Sequence, residues 1–147
     1  MQVGKGRTFI GSFAHGKDLL ESLHAFLKEN NIRFGYFNII GAVKKAKLGY
    51  YKQDEKKYID CVNLEKTLEI STCMGNVSIM NDKVFAHAHV VFSDHQGNCY
   101  GGHLMPGSVI FACEYVIQEF LGEPLSRVKD HRTGLMLWSE KHFRDKR

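Results

Sequence analysis

Apolar positions near the start of the chain repeat with the spacing of one face of a helix. The pattern i, i+1, i+4, i+7, i+8 is formed by Leu19, Leu20, Leu23, Phe26 and Leu27. Such spacing places apolar side chains in one stripe along a helix surface. We therefore expect a helix over residues 17–29, ended by the asparagines at positions 30 and 31.

The rest of the chain has the shorter period of β-strands. Aromatic and β-branched residues alternate with polar ones between glycine, asparagine and aspartate clusters, which is typical of strands joined by turns. Turns are expected at Gly75-Asn76 and at Asn81-Asp82-Lys83. Strands are expected over residues 9–13, 34–40, 46–51, 58–62, 67–74, 77–80, 84–92, 98–104, 108–120 and 133–138. One early helix and about eight later strands predict an α+β fold with a mostly antiparallel sheet.

Length and composition indicate a soluble protein of ordinary make-up. The chain has 147 residues, 44% hydrophobic and 24% charged, which suggests one domain over residues 1–147. No apolar run approaches the roughly 20 residues of a membrane helix, and the first residues lack the apolar segment of a signal peptide. We expect a cytoplasmic protein without a membrane partner.

The charge balance is mildly basic. The net charge is +4, with lysines clustered at positions 44–47 and 52–57 and a basic tail at 141–147. Lysines of this kind commonly protect strand edges from aggregation. A phosphate-binding surface is the alternative, although the chain has no recognition-helix or RNP-like pattern.

The chemically informative residues are three histidines. His87 and His89 are two positions apart in a predicted strand, so both point to the same face. His103 lies in the next predicted strand, after Gly101-Gly102. Three imidazoles that converge from two strands form a metal site with an open position, as in reactive rather than structural zinc sites.

The loop between the two strands sets which histidines face each other. A three-residue hairpin loop commonly ends on a glycine in the left-handed conformation. With His95 and Gln96 at the turn centre and Gly97 in that conformation, Asp94 pairs with Asn98 and paired residue numbers sum to 192. His89 then faces His103, with Cβ atoms about 4.5–5.5 Å apart.

A second register remains open at this stage. A loop of two or four residues makes paired numbers sum to 191 and turns His103 to the opposite face, and a bulge at Gly101-Gly102 changes either register. The other histidines, at positions 15, 24, 95, 131 and 142, have no such neighbours and are interpreted as surface or loop residues. The four cysteines lack CxxC spacing, so we do not expect them to be metal ligands.

Short motifs recur through nearly the whole chain: Gly75-Asn76-Val77, His87-Ala88-His89, Gly97, Gly101-Gly102-His103-Leu104 and Gly107, with Gly41-Ala42, Leu68-Glu69-Ile70 and Arg127. Together they resemble the prokaryotic form of the plant-and-prokaryote conserved (PPC) domain family. The resemblance implies an α+β fold that assembles as a homotrimer. It also implies one zinc ion per subunit at His87, His89 and His103, although three imidazoles also suit other divalent transition metals.

Two relatives in this resemblance indicate different functions. The architecture is similar to acetolactate decarboxylase, whose zinc is bound by an HxH pair and a later histidine. Plant members of the family join the domain to AT-hooks that bind DNA, and prokaryotic members are often described as DNA-binding. The present chain has no Arg-Gly-Arg-Pro core of an AT-hook.

Three functions follow as hypotheses. The first is lyase or hydrolytic chemistry on a small molecule at zinc, with Glu69 and Glu114 as candidate proton-handling groups because each interrupts an apolar strand. The second is a transcription-associated protein that binds DNA mainly by electrostatic attraction. The third is a ligand-sensing trimer whose metal only anchors a small anion or stabilises the assembly.

Overall fold

One helix and a strongly bent antiparallel sheet form the bulk of the molecule. The computed structural model describes residues 1–143, so the end of the predicted basic tail, residues 144–147, lies outside the described residues. The helix α1 spans Leu19–Glu29, and a short 3₁₀ helix spans Glu140–His142. The strands are β1 Gly4–Ser12, β2 Gly35–Lys52, β3 Lys57–Leu64, β4 Leu68–Met80, β5 Lys83–Ser93, β6 Cys99–Leu104, β7 Val109–Leu121, β8 Arg127–Lys129 and β9 Met136–Trp138.

The predicted helix is confirmed, and its first residue is set by a cap. The Asp18 side chain accepts a hydrogen bond from the backbone N–H of Glu21 at 2.9 Å, which satisfies one of the free donors of the first turn. The helix therefore begins at Leu19, two residues later than expected. Its apolar stripe is fully buried at Leu19, Leu23 and Leu27 against the sheet.

The sheet closes on itself through β2. The first half of β2 pairs with β7 and β4, and its second half pairs with β3 and β6. Because β4 also pairs with β5 and β5 with β6, the pairings run in a ring from β2 back to β2. The α+β prediction with a mostly antiparallel sheet is confirmed.

Two predicted strand breaks are wrong. The strands predicted at 34–40 and 46–51 are parts of one strand, β2, which begins at Gly35 and passes through Gly41 with a φ of +139°. The predicted turn at Gly75 is instead the middle of β4. A side-chain carbon at Gly75 would lie 1.9 Å from the carbonyl oxygen of His87, so glycine is needed there for space rather than for a turn. The turn at 81–83 is confirmed, because Asn81 and Asp82 both have positive φ and Met80 pairs with Lys83.

The C-terminal part forms a separate two-stranded sheet. The strand predicted at 133–138 is shorter, over Met136–Trp138, and it pairs with β8 instead of the main sheet. No helix among the described residues is long and apolar enough to cross a membrane. The small sheet lies against β4, where Ser126 forms an isolated bridge with Ile79. This placement brings residues 132–137 beside the predicted histidine site.

Candidate metal centre

The hairpin between β5 and β6 has the predicted register. Gly97 has a φ of +81°, and the backbone N–H of Asp94 donates to the carbonyl of Asn98 at 3.0 Å. His89 consequently faces His103, and the alternative register is wrong. Glycine is required at position 97 because other residues adopt this φ only with strain.

Asp94 holds the loop in this conformation. Its side chain accepts hydrogen bonds from the backbone N–H groups of Gln96 and Asn98, both at 3.0 Å, and from the Lys66 ammonium at 2.9 Å. The Lys66 bond, followed by those of Asn98 and Gln96, holds the pKa of the Asp94 carboxyl well below its usual range. The carboxylate is 4% exposed, so the loop that sets the histidine register is itself fixed by a nearly buried charge.

The three histidines come together on the face of the sheet opposite the helix. Their ring centres are 5.1 to 5.4 Å apart, and one nitrogen of each lies within 4.8 Å of those of the other two. Nδ1 of His103 is buried and has no hydrogen-bond partner within the described part of the chain. A buried imidazole nitrogen without a partner costs free energy unless a ligand such as a metal ion uses its lone pair. The donor set therefore fits a divalent transition metal.

The imidazoles of His87 and His103 are half-buried and are neutral at neutral pH. The neutral imidazole is the form that binds a metal ion. Burial lowers the pKa of His87 to about 4, with further lowering by the positive charge of Arg127. Burial also lowers the pKa of His103 to about 4, with smaller effects of His89 and Arg127. Each of these two rings therefore keeps one nitrogen lone pair that can bind a metal ion.

Arg127 is the main feature that sequence reasoning left without a role. It is 8% exposed, and its guanidinium donates to Ser78 Oγ at 2.8 Å and to Asn76 Oδ1 and the Met136 carbonyl, both at 2.9 Å. Nη2 also lies 3.5 Å from His87 Nδ1. Arg127 thus ties the small sheet to β4 and places a positive charge beside the histidines.

The histidines open into a cavity of about 910 Å³ between the sheet and residues 132–137 of the chain end. The Tyr58 ring lies 4.9 Å from the His103 ring, and burial raises the pKa of the Tyr58 hydroxyl. Apolar side chains form much of the wall: Met80, Phe85, Met105, Leu135, Met136 and Leu137. The cavity can therefore enclose a small molecule next to the three imidazoles, and none of the four cysteines lines it.

The sequence of this chain matches a known family over most of its length. Residues 1–121 match the Plants and Prokaryotes Conserved (PCC) domain, also written PPC. The chain belongs to the PCC domain family. The predicted family resemblance is confirmed.

Solved structures of proteins 27–39% identical to this chain share its fold closely. A metal-containing protein from Archaeoglobus fulgidus is 39% identical with a TM-score of 0.89, covering 95% of this chain and 97% of that chain. A plant- and prokaryote-conserved protein from Pyrococcus horikoshii is 34% identical with a TM-score of 0.88, covering 95% of both chains. A candidate DNA-binding protein from Bacteroides thetaiotaomicron is 27% identical with a TM-score of 0.84, covering 95% of this chain and 98% of that chain.

Two further matches are proteins longer than this chain. Acetolactate decarboxylase from Bacillus subtilis subspecies spizizenii is 18% identical with a TM-score of 0.51, covering 81% of this PCC chain and 55% of that chain, so the likeness is one of fold. The bifunctional protein GlmU of Synechococcus sp. (strain JA-3-3Ab) is 32% identical over 138 residues, or 92% of this chain. The PCC chain spans about a fifth of that relative's length.

The two predicted proton-handling residues lie elsewhere. Glu69 and Glu114 are exposed and border a separate groove around Ile40 and Ala112. Neither lines the histidine cavity, so the expectation that they serve chemistry at that cavity is not supported. Their alternation with apolar residues reflects outward-facing strand positions.

Histidines outside the cluster also have structural contacts. His142, expected at the surface or in a loop, is half-buried, and its Nε2 accepts a hydrogen bond from the backbone N–H of Ser126 at 3.1 Å. His24, expected at the surface, is half-buried on α1, and its Nε2 accepts a hydrogen bond from the backbone N–H of Ala86 at 3.1 Å. Burial lowers the pKa of His24. This bond fixes β5 next to His87, so His24 supports the site from the helix side.

The lysine clusters of the PCC chain are largely paired with acids. The pairs are Lys45–Glu65, Lys47–Asp60, Lys52–Glu55 and Lys57–Glu55. Such pairing reduces the positive potential that a nucleic-acid backbone would meet at this surface.

Proposed function

We propose that this PCC chain forms, as one domain over residues 1–147, a homotrimeric protein that binds a zinc ion in each subunit and holds a small molecule at the open metal position. His87, His89 and His103 would hold the ion. The observation that carries the proposal is that one nitrogen of each of the three imidazoles lies within 4.8 Å of those of the other two. In addition, Nδ1 of His103 is buried and has no hydrogen-bond partner among the described residues. A relative described as metal-containing is 39% identical over nearly the whole chain.

Zinc bound by three neutral imidazoles keeps its charge and an open position, and so would polarise an oxygen atom of a ligand. The protein's own groups favour binding over acid–base catalysis. The described lining of the cavity contains no aspartate or glutamate, and the pKa of the Tyr58 hydroxyl is raised away from neutral pH. Ligand sensing is therefore the function that the site supports best, and lyase or hydrolytic turnover is the second candidate.

Metal analysis tests the site directly. Protein purified without added metal should contain about one zinc ion per chain by plasma emission spectrometry, and metal removal should lower the melting temperature. His89→Ala should lose the metal. His95→Ala is the matched control, because His95 lies in the exposed loop of the same hairpin and should leave the zinc content unchanged. Full zinc content in His89→Ala would refute the assignment of the ligands.

The proposed homotrimer is supported by an apolar row on the outer face of the sheet. Ile10, Val116, Asn38, Met74 and His89 are consecutive cross-strand neighbours, and the three apolar members of this row are exposed, Ile10 by 80%. Exposed apolar patches of this kind commonly mark contact surfaces between subunits.

Light scattering after gel filtration tests the assembly. The wild-type protein should have a mass of about three times the 16.8 kDa of one chain. Ile10→Glu should reduce this mass. Val128→Glu is the control, because Val128 is an exposed apolar residue on β8, outside the row. A monomeric wild-type protein would refute the proposed trimer.

DNA binding is an alternative that rests on the candidate DNA-binding relative and on the basic charge. Because most clustered lysines are paired with acids, we expect no mobility shift of a DNA duplex even at low salt. A shift that weakens steeply with added salt would instead support the DNA-binding function.

A further inference from the structure

The histidine cavity holds a positive charge that has no acidic partner among the described residues. The hydrogen-bond acceptors of Arg127 are Ser78, Asn76 and a backbone carbonyl, all without negative charge. Its guanidinium also lies over the rings of Phe85 and Trp138, at 5.3 and 5.8 Å from their centres. No salt bridge to Arg127 is formed by the described residues. Arg127 is 8% exposed, and an arginine buried to this extent is normally paired with an anion, because removing an isolated charge from water is unfavourable.

The same charge lies next to the proposed metal ligands. Nη2 of Arg127 is 3.5 Å from Nδ1 of His87, and a divalent ion at the histidines would add further positive charge to the same cavity. Like charges at short distance repel, and more strongly where burial reduces screening by water. An anion bound between them would offset both.

The wall of the cavity limits what kind of anion fits. The other cations that line it each have a partner: Arg132 pairs with Asp130, Lys57 pairs with Glu55, and Lys56 donates to the carbonyl of His131. The wall also includes the apolar side chains of Phe85, Met105 and Leu135. Such a wall suits a ligand with one charged end and an apolar body.

We propose that the cavity binds a small organic carboxylate, with its oxygen atoms directed to the metal and Arg127 and its apolar body against the apolar wall. The planar guanidinium donates in a fork that matches the two oxygen atoms of a carboxylate. This inference rests on the proposed zinc site and adds the chemical class of its ligand.

Isothermal titration calorimetry with butyrate and its neutral isostere butyramide tests the inference on the zinc-loaded protein. Butyrate should bind at least 10-fold more tightly than butyramide and than inorganic phosphate. Arg127→Met should weaken butyrate binding at least 10-fold. Lys129→Met is the control, because it removes the same charge from an exposed position on the same strand, and it should change butyrate affinity less than twofold.

Three results would overturn the carboxylate assignment: equal affinity for butyrate and butyramide, tighter binding of phosphate, or an equal effect of the two variants. Because Arg127 also ties the small sheet to β4, the Arg127→Met variant can fail to fold. In that case the Nε–H resonance of Arg127 in wild-type protein decides by NMR. It should shift on addition of butyrate and stay in place with butyramide, and an unmoved resonance with butyrate overturns the inference.

Absence of zinc from the protein would be seen separately from failure of the carboxylate inference. The zinc content of every sample is measured alongside the titration, and protein without zinc would refute the proposed function. The titration is then repeated on that metal-free protein. Weaker butyrate binding that still depends on Arg127 would support the anion site, and binding that is insensitive to Arg127→Met would overturn it.

Discussion

Gly75→Ala tests whether the close approach of β4 and β5 positions the histidines. A methyl group at Gly75 would lie 1.9 Å from the carbonyl oxygen of His87 and 2.6 Å from Cζ of Phe37. Real side-chain carbons essentially never come within 3.0 Å of such atoms. To bring the His87 carbonyl oxygen out to 3.0 Å, β4 and β5 must separate by about 1 Å at His87. The Phe37 ring cannot give way either, because it is fully buried and packed interiors have few voids.

The expected cost follows from this displacement. Overpacking of a well-packed interior costs about 1–3 kcal/mol, and the upper end applies because the nearest atom belongs to the backbone. For a chain of this length, a loss of about 3 kcal/mol lowers the melting temperature by roughly 6–12 °C. Zinc affinity should fall about 10- to 100-fold, as it does when groups that orient metal ligands are changed.

Thermal unfolding of metal-free protein and zinc competition with a chromophoric chelator measure the two effects separately. Gly101→Ala is the matched control, because Gly101 also lies in a strand of the histidine hairpin but an added methyl group would meet its nearest atom at 3.6 Å. Its stability should stay within about 1 kcal/mol of the wild type. A Gly75→Ala protein that matches Gly101→Ala in both stability and zinc affinity would contradict the packing argument.

Three further predictions concern the groups around the site. Asp94→Asn should lower the melting temperature at pH 7. The pKa of Asp94 is lower in the folded protein than its unfolded value of about 3.9, so the carboxylate stabilises the fold above that value and the difference in melting temperature from wild type should shrink below about pH 4. Asp54→Asn, in an exposed turn, is the control and should change the melting temperature little at either pH. Ser78→Ala removes the acceptor of the Arg127 Nε–H and should destabilise the protein by about 1–3 kcal/mol in chemical denaturation; an unchanged midpoint would show that water replaces the bond. His103→Ala should reduce zinc affinity about 100-fold or more. The metal-free variant should melt at no lower temperature than the metal-free wild type, because the substitution removes a buried nitrogen without a partner. A lower melting temperature of the metal-free variant would argue for a structural role of His103.

The parts of the fold that follow from local chemistry are the parts that could be predicted. The hairpin register depends on Asp94, Gly97 and Asn98, all within five residues, and the helix depends on its own apolar stripe. For the same reason, the meeting of His89 and His103 could be predicted from the sequence alone. Their metal binding stays a prediction.

The parts that could not be predicted depend on neighbours far away in the sequence. Glycine at positions 41 and 75 has the sequence character of a strand break, but the structure uses each for close approach to another strand, at the carbonyl oxygens of Ala112 and His87. Local sequence does not reveal which backbone will lie opposite. The cover over the histidines is likewise made by residues 132–137, which are 29 to 50 positions away from them along the chain.

The wrong turn at Gly75 and the unassigned role of Arg127 have one physical origin. Since β4 continues through Gly75, Asn76 lies in a strand as the cross-strand neighbour of His87. Its side chain therefore accepts a hydrogen bond from Arg127 right beside the imidazole. A turn at 75–76 would remove Asn76 from the sheet and leave Arg127 without this anchor. The strand continuity that glycine permits thus brings an unpaired positive charge to the three histidines, and the carboxylate inference depends on that juxtaposition.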